Sequence, residues 1–160
     1  MNTEELRKSY KPDKVKILFV GESPPAGGTF FYNANSNLYR NTKKAFEIAH
    51  EKEWGYDFLS DFKKMGCYLV DLCLIPVNKG MTKKERKAEH KKGIPALAET
   101  IKALKPDRVV VVMKSIDLEV STALSLAGFS GEAAFLPFPN WPDQRDQYQA
   151  GLARLLKNES

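Results

Sequence analysis

Cysteine and histidine are scarce in this chain, and this scarcity excludes several kinds of site. The 160 residues include 2 cysteines and 2 histidines, so the chain cannot supply four thiolates for an iron–sulfur cluster or a structural zinc. His50 and His90 fall on predicted helix surfaces without the spacing of metal ligands, and we expect neither a metal nor another cofactor. Cys67 and Cys73 lie in one predicted strand, about 20 Å apart. They therefore cannot form a disulfide with each other.

Long apolar segments are also missing. Runs such as residues 109–113 fall far short of the ~20 residues that span a bilayer, and no apolar segment follows a basic one at the N-terminus. We therefore expect a cytoplasmic protein without a membrane partner. The length predicts a single domain over residues 1–160, with residues 1–13 as an N-terminal extension.

Basic residues outnumber acidic ones. The 25 Lys and Arg residues against 20 Asp and Glu give a formal charge of +5. Such a balance favours polyanionic partners, because contacts with phosphates release counterions. It does not identify a partner, since many basic proteins bind no nucleic acid.

Predicted strands and helices alternate along the sequence. Apolar segments at residues 14–20, 67–75, 108–113 and 133–136 predict four strands that are buried on both faces. Helical periodicity predicts helices at 42–54, 58–65, 82–92, 94–104, 115–128 and 143–156. Gly93 and Pro95 separate the third helix from the fourth. This order predicts an α/β fold, a three-layer α/β/α sandwich with a central, mostly parallel four-stranded sheet.

The loops that follow the predicted strands are the first candidates for a functional site, because ligands bind at the carboxyl ends of parallel strands. The four segments cover residues 21–28, 76–80, 114–115 and 137–143. Three of them are rich in Pro, Gly and Asn. The first contains neither G-x-G-x-x-G nor G-x-x-x-x-G-K-[ST], which argues against a dehydrogenase or a phosphate-loop NTPase. A tight turn without a functional role is the alternative.

Asp71 interrupts an otherwise apolar strand, where an unpaired carboxylate would be costly to bury. It can make a structural hydrogen bond or act as an acid in a ligand pocket. Phe30 and Phe31 follow a Gly-Gly-Thr turn, where they can stack on a base or plug a long loop. The basic residues of segment 79–92 can be a solvated helix face or can contact phosphates.

Taken in sequence order, these segments resemble those of the uracil-DNA glycosylase superfamily, especially its bacterial and archaeal branches. The loop Gly21-Glu-Ser-Pro-Pro is similar to the first motif of the family, a G-E-A-P-G type turn. Phe30-Phe31 falls where the family places a phenylalanine that stacks on the flipped base. Tyr68-Leu-Val-Asp-Leu resembles the strand that ends in a uracil-reading asparagine, and residues 98–113 resemble the helix and strand before the second motif. The resemblance spans roughly residues 14–156.

The chain departs from the family at three functional positions. Phe138-Pro-Asn140 stands where the family has H-P-S or H-P-A, so the histidine that stabilises charge on the base is absent. Ser23 replaces an Asp or Asn of the first motif, and Asp71 replaces the base-reading asparagine. The cysteines of the iron–sulfur branches are missing as well. These departures argue against ordinary uracil excision.

The resemblance implies a protein that flips a base from DNA and hydrolyses its N-glycosidic bond in base excision repair. Glu22 and Ser23 would be catalytic and would position water. The base would be bound by Gly21, Phe30, Phe31, Asp71, Phe138 and Asn140. DNA would be contacted by Lys79, Lys83, Lys84, Lys87, Trp141 and Arg145, with Trp141 as an apolar wedge. The expected partner is single- or double-stranded DNA, and the protein is expected to be a monomer.

Two other functions remain open at this point. One is a non-catalytic binder of nucleic acid or nucleobases with the same fold, and the other is a small-molecule or nucleotide hydrolase. For the base itself, an asparagine can accept from N3–H of uracil and donate to O4, whereas an ionised aspartate only accepts. Asp71 therefore predicts a preference for an amine-bearing base such as cytosine, or uracil binding in acid if burial raises its pKa.

Overall fold

A computed structural model describes residues 2–55 and 57–158. The strands β1 (Ile17–Gly21), β2 (Cys67–Asp71), β3 (Arg108–Val111) and β4 (Glu132–Phe135) form a parallel sheet in the order β2-β1-β3-β4. The predicted α/β fold with a parallel four-stranded sheet is confirmed. The described helices are α1 (Thr3–Ser9), α2 (Asn37–His50), α3 (Phe58–Lys64), α4 (Lys83–Leu104), α5 (Asp117–Leu126) and α6 (Pro142–Lys157). Short 3-10 helices cover Phe31–Asn33 and Lys114–Ile116.

The register of the sheet brings the carboxyl ends of β1, β2 and β3 together. Gly21 of β1 is aligned with Asp71 of β2, and Val20 of β1 with Val111 of β3. From β2 the chain crosses back over β1 to reach β3, so its direction across the sheet reverses beside β1. Right-handed crossovers then place α2 and α3 on one face and α4 and α5 on the other. The end of β1 is therefore the switch point at which open α/β sheets bind ligands.

An aromatic cluster supports one face of this sheet. Phe19 of β1 is fully buried, and its ring centroid lies 5.3 Å from that of Phe62 in α3. Phe46 and Phe58 extend the cluster, with 5.3 Å between their ring centroids. Large buried aromatic side chains contribute strongly to core stability. The cluster thus fixes α2 and α3 against the strand that leads into the ligand-binding edge.

Helix α4 runs without interruption through Gly93 and Pro95, so the predicted break between residues 92 and 94 is wrong. A Cβ atom at Gly93 would lie only 1.9 Å from the carbonyl oxygen of Leu72. The glycine therefore allows α4 to approach the end of β2 closely. Tertiary packing outweighs the weak helix propensity of Gly and Pro at these positions.

Several predicted boundaries also change. Strand β2 ends at Asp71 instead of residue 75, and the side chains of Leu74 and Ile75 are exposed. Helix α2 begins well before residue 42, because the side chain of Ser36 accepts a hydrogen bond from the N–H of Tyr39 and caps the helix. Helix α5 begins at Asp117, after the 3-10 helix that contains residue 115.

The N-terminal segment packs against β2, the outer strand on one side of the sheet. Arg7 of α1 donates to the carbonyl oxygen of Leu69 over 2.8 Å, and the N–H of Leu69 donates to the hydroxyl of Tyr32 over 2.8 Å. These contacts occupy backbone groups of the edge strand β2 that would otherwise be open to pairing. Within the described ranges, no helix is long and apolar enough to cross a membrane.

Candidate functional site

A cavity of about 270 Å³ opens at the carboxyl ends of β1 and β2, which we call the first cavity. Seven of the eight residues predicted for catalysis and base binding line it: Gly21, Glu22, Ser23, Phe30, Phe31, Asp71 and Phe138. Asn140 lines a neighbouring cavity instead. The volume is close to the lower end of the ~300–1,000 Å³ typical of ligand pockets. The first cavity therefore suits a small ligand.

Glu22 is a buried carboxylate held by side chains from α4. Arg86 donates to both of its oxygens, with 2.6 Å from Nε to Oε2, and Nε2 of His90 lies 2.7 Å from Oε2. Burial favours the neutral acid, but the hydrogen bonds from Arg86 and His90 outweigh it and hold the pKa of Glu22 below its usual value. Glu22 is therefore ionised at neutral pH. Three of its roughly four acceptor positions are already occupied.

The prediction that His90 lies on a helix surface is wrong. Its side chain is 3% exposed, and it reaches Glu22 from the inner face of α4. A carboxylate partner at Nε2 favours the tautomer that carries the proton on this nitrogen. Its Nδ1 is buried and has no hydrogen-bond partner among the described residues. The chain thus places a histidine behind the first cavity, although the second motif lacks one.

Asp71 is paired with Arg7 of α1. Oδ2 accepts a hydrogen bond from Arg7 over 2.7 Å, and the two side chains are 10% and 5% exposed. Burial raises the pKa of Asp71, and the nearby Arg7 guanidinium opposes this rise without cancelling it. Arg7 occupies one acceptor position of Oδ2, so Asp71 offers a ligand chiefly its other oxygen. A bidentate contact with a base edge would have to share Oδ2 with Arg7.

Phe30 and Phe31 both line the first cavity, but their surroundings differ. Phe31 packs edge-on or tilted against three rings of the core, including Phe62 with 5.4 Å between centroids. Phe30 carries the Arg7 guanidinium over its ring at 5.3 Å from the centroid, and its N–H donates to Asn35. Phe31 is thus the more firmly held of the two, and Phe30 links the cavity wall to the Arg7–Asp71 pair.

Hydroxyl groups and the amide of Asn37 supply the remaining polar wall of the first cavity. Ser23 Oγ accepts from the N–H of Val77 over 3.3 Å, which leaves its proton available to a ligand or water. Thr29 and Ser36 line the same cavity.

Burial raises the pKa of the nearby Cys73 thiol to about 12, with Glu22 and Asp71 adding to the rise. This thiol is therefore protonated and unsuited to nucleophilic attack.

A second cavity of about 610 Å³ adjoins the first and shares Met113 and Phe138 with it. Its wall combines basic side chains of α4 with residues that follow β3 and β4: Lys83, Arg86, Lys87, His90, Lys114, Ser115, Pro137, Asn140, Trp141 and Gln144. Lys87 is held by Glu119 over 3.2 Å and by the carbonyl oxygen of Ser115 over 2.7 Å. The predicted DNA-contacting residues Lys83, Lys87 and Trp141 therefore lie together.

Three other predicted DNA contacts lie outside both cavities. Lys79 and Lys84 are exposed, and Arg145 lies on α6 near Asp146, 3.7 Å away. None of the three lines a cavity described above. Within residues 2–55 and 57–158, no cluster of His, Cys, Asp and Glu side chains could hold a metal ion.

Sequence reasoning missed Arg7 and the roles of Arg86 and His90. Arg7 lies in a segment that had been predicted as an extension, and it meets Asp71 across 64 positions of sequence. Glu22 is separated by 64 positions from Arg86 and by 68 from His90. The available signal was the buried carboxylate itself, because a buried charge requires a partner. The sequence could not indicate which basic residue would pair with each buried carboxylate.

Comparison with known families gives a match over most of the chain. The model of the uracil DNA glycosylase superfamily matches residues 8–141, which is more than half of the 160 residues. Arg7 and helix α6 lie outside the matched range. A search of curated proteins finds no match.

Proposed function

This chain belongs to the uracil DNA glycosylase superfamily, and we propose that it flips a base from DNA and hydrolyses the N-glycosidic bond of that base. The observation that carries the proposal is the meeting of an ionised Glu22, the hydroxyl of Ser23 and the rings of Phe30 and Phe31 around the first cavity. Extruding a base costs a few kcal/mol, which stacking and edge hydrogen bonds can recover. The superfamily membership supports a DNA glycosylase-like function in general.

In the proposed reaction, the base enters the first cavity and stacks on Phe31, with Phe30 beside it. Asp71 accepts one hydrogen bond from the edge of the base through the oxygen that Arg7 leaves available. This geometry favours a base that presents an N–H or an amine there, such as cytosine or a relative of it. Uracil would be accepted more readily when Asp71 is protonated.

Glu22 has an electrostatic role in this proposal. Breaking the bond between sugar and base leaves positive charge on the sugar, as in other glycoside hydrolyses. A fixed carboxylate stabilises such charge without reorganisation during the reaction. With three hydrogen bonds already accepted, Glu22 has little capacity to take a proton from water. Ser23 is better suited to orient the attacking water, because its hydroxyl can both donate and accept. The base departs with the electron pair of the broken bond and takes up the proton that the attacking water loses.

A non-catalytic binder is the second candidate, and one observation favours it. Phe138 stands where the family has its charge-stabilising histidine, and it lines the first cavity without offering a hydrogen bond. Losing one such donor typically costs a factor on the order of 10²–10³ in rate. A binder would retain the cavity and the basic surface without base release.

The test is a glycosylase assay over a panel of modified bases in DNA, with the protein in excess over the DNA. We expect release of at least one base by the wild type, and a loss on the order of 10²–10³ for Glu22→Gln. Lys64→Gln, on the exposed surface of α3, is the matched control. Binding without release of any base would support the non-catalytic binder. Activity on free nucleosides or nucleotides alone would support a small-molecule hydrolase.

A further inference from the structure

The second cavity has an excess of positive charge beside the base pocket. Arg86 and Lys87 are neutralised by Glu22 and Glu119. Lys83 and Lys114 form no ion pair with any described residue, although both line this cavity. A ligand that neutralises them must be anionic.

Trp141 adds a stacking surface to the same cavity. Its side chain is 66% exposed, and it has no ring contact within the described ranges. An aromatic ring beside cations is the combination that holds single-stranded nucleic acids, where bases stack and lysines track the backbone. Trp141 and Lys114 therefore complement a nucleotide, with its base and its phosphate.

Two buried acceptors belong to residues of this cavity. Nδ1 of His90 and Oε1 of Gln144 have no hydrogen-bond partner among the described residues. With the His90 proton on Nε2 toward Glu22, its Nδ1 is an acceptor. Unsatisfied buried polar atoms are rare and call for a partner.

We propose that the second cavity binds the nucleotide adjacent to the flipped one, and that single-stranded DNA is consequently the preferred substrate. This inference rests on the proposed function, because the first cavity must hold a base of the same strand. In a duplex, the adjacent base is paired and stacked, and withdrawing it costs a few kcal/mol more. In a single strand, two neighbouring bases can enter the two adjoining cavities without this cost.

The first experiment measures binding alone, by intrinsic tryptophan fluorescence. The chain contains 2 tryptophans, of which Trp54 is buried and Trp141 exposed. The probe is an unmodified single strand of about 12 nucleotides, within the site sizes of single-strand binders, and the same sequence as a duplex. We expect the single strand to quench the fluorescence of the wild type and of the control Trp54→Phe. Trp141→Phe should lose most of this quenching.

Affinity distinguishes stacking in a single strand from insertion into a duplex. Trp141→Ala should weaken single-strand binding roughly five- to 150-fold, the equivalent of one base stack of about 1–3 kcal/mol. The wild type should bind the single strand about tenfold or more tighter than the duplex. Duplex binding that is as tight or tighter would overturn the inference, and so would unchanged quenching in Trp141→Phe.

A second experiment tests the charges. Lys83→Gln with Lys114→Gln should reduce the slope of log K against log salt, by about 0.7 for each phosphate contact with a single strand. Lys64→Gln makes the same change near Gly66, at the amino ends of the strands, and should leave the slope unaltered. An unchanged slope in the double variant would contradict the inference. These binding results do not depend on cleavage, so failure of the glycosylase assay would reject the proposed function without rejecting this subsite.

Discussion

Nε2 of His90 lies 2.7 Å from Oε2 of Glu22, although 68 positions separate the two residues in the sequence. Both side chains are buried, and Arg86 completes the environment of the carboxylate. Glu22 lines the first cavity and His90 lines the second. This contact therefore joins the proposed base pocket to the proposed site for the adjacent nucleotide.

The His90 contact predicts the pH dependence of base release. Glu22 must be ionised to stabilise a cationic sugar, and the donors from α4 hold its pKa below the usual value. His90→Leu removes one donor, so the pKa of Glu22 should rise and the acid limb of the rate profile should move to higher pH. His90→Gln retains an N–H donor and should restore part of the difference. Single-turnover rates across pH test this; equal rate loss at every pH would indicate a purely structural role.

Arg7 should be essential for stability despite its position near the N-terminus. Arg7→Met leaves the buried carboxylate of Asp71 without its partner, which typically costs about 3–5 kcal/mol in the free energy of unfolding. Arg7→Met combined with Asp71→Leu removes both charges and should recover much of this loss. Urea denaturation of the three proteins measures the effect. A single variant as stable as the wild type would show that the pair contributes little.

Close packing at Gly93 gives a prediction about the fold. Gly93→Ala would drive a Cβ into the carbonyl oxygen of Leu72, and relief of this contact requires α4 to move away from the end of β2. We expect a loss of about 1–3 kcal/mol, as for other overpacked sites. Gly55→Ala is the control, because a Cβ there meets nothing within 4 Å. Similar stability of both variants in urea would argue against this close approach.

These contacts also show which features the sequence could predict. Four strands were identifiable because buried parallel strands are solidly apolar, and the loop after Val20 was a candidate site because it follows such a strand. The continuity of α4 could not be predicted, because local propensity at Gly93 and Pro95 favours a break. Only the contact with Leu72 explains the glycine. The partners of Glu22 and Asp71 were not predictable either. Pairing across 64 or 68 positions leaves no periodic pattern in the sequence.

Asp71→Asn should raise affinity for uracil in DNA at neutral pH. The carboxylate faces the O4 carbonyl unfavourably, whereas an asparagine whose oxygen accepts from Arg7 can donate its N–H to O4. The gain should be about 0.5–1.5 kcal/mol, one hydrogen bond, because Arg7 occupies the other atom. Burial raises the pKa of Asp71, so wild-type affinity should increase as the pH falls toward that pKa, while the variant stays constant. Equal affinities for both proteins between about pH 5 and 8 would mean that Asp71 does not face the base.

The most direct test of the account is the identification of products in a single-turnover reaction with single-stranded DNA that carries one modified base, across a panel of such bases. The account predicts a free base and a DNA strand with an alkali-labile abasic site at that position, and strong reduction of both by Glu22→Gln. It also predicts faster release for bases with an amine at the edge that meets Asp71 than for uracil at neutral pH. Intact DNA after reaction with every base of the panel, under conditions in which the protein binds the strand, would contradict it.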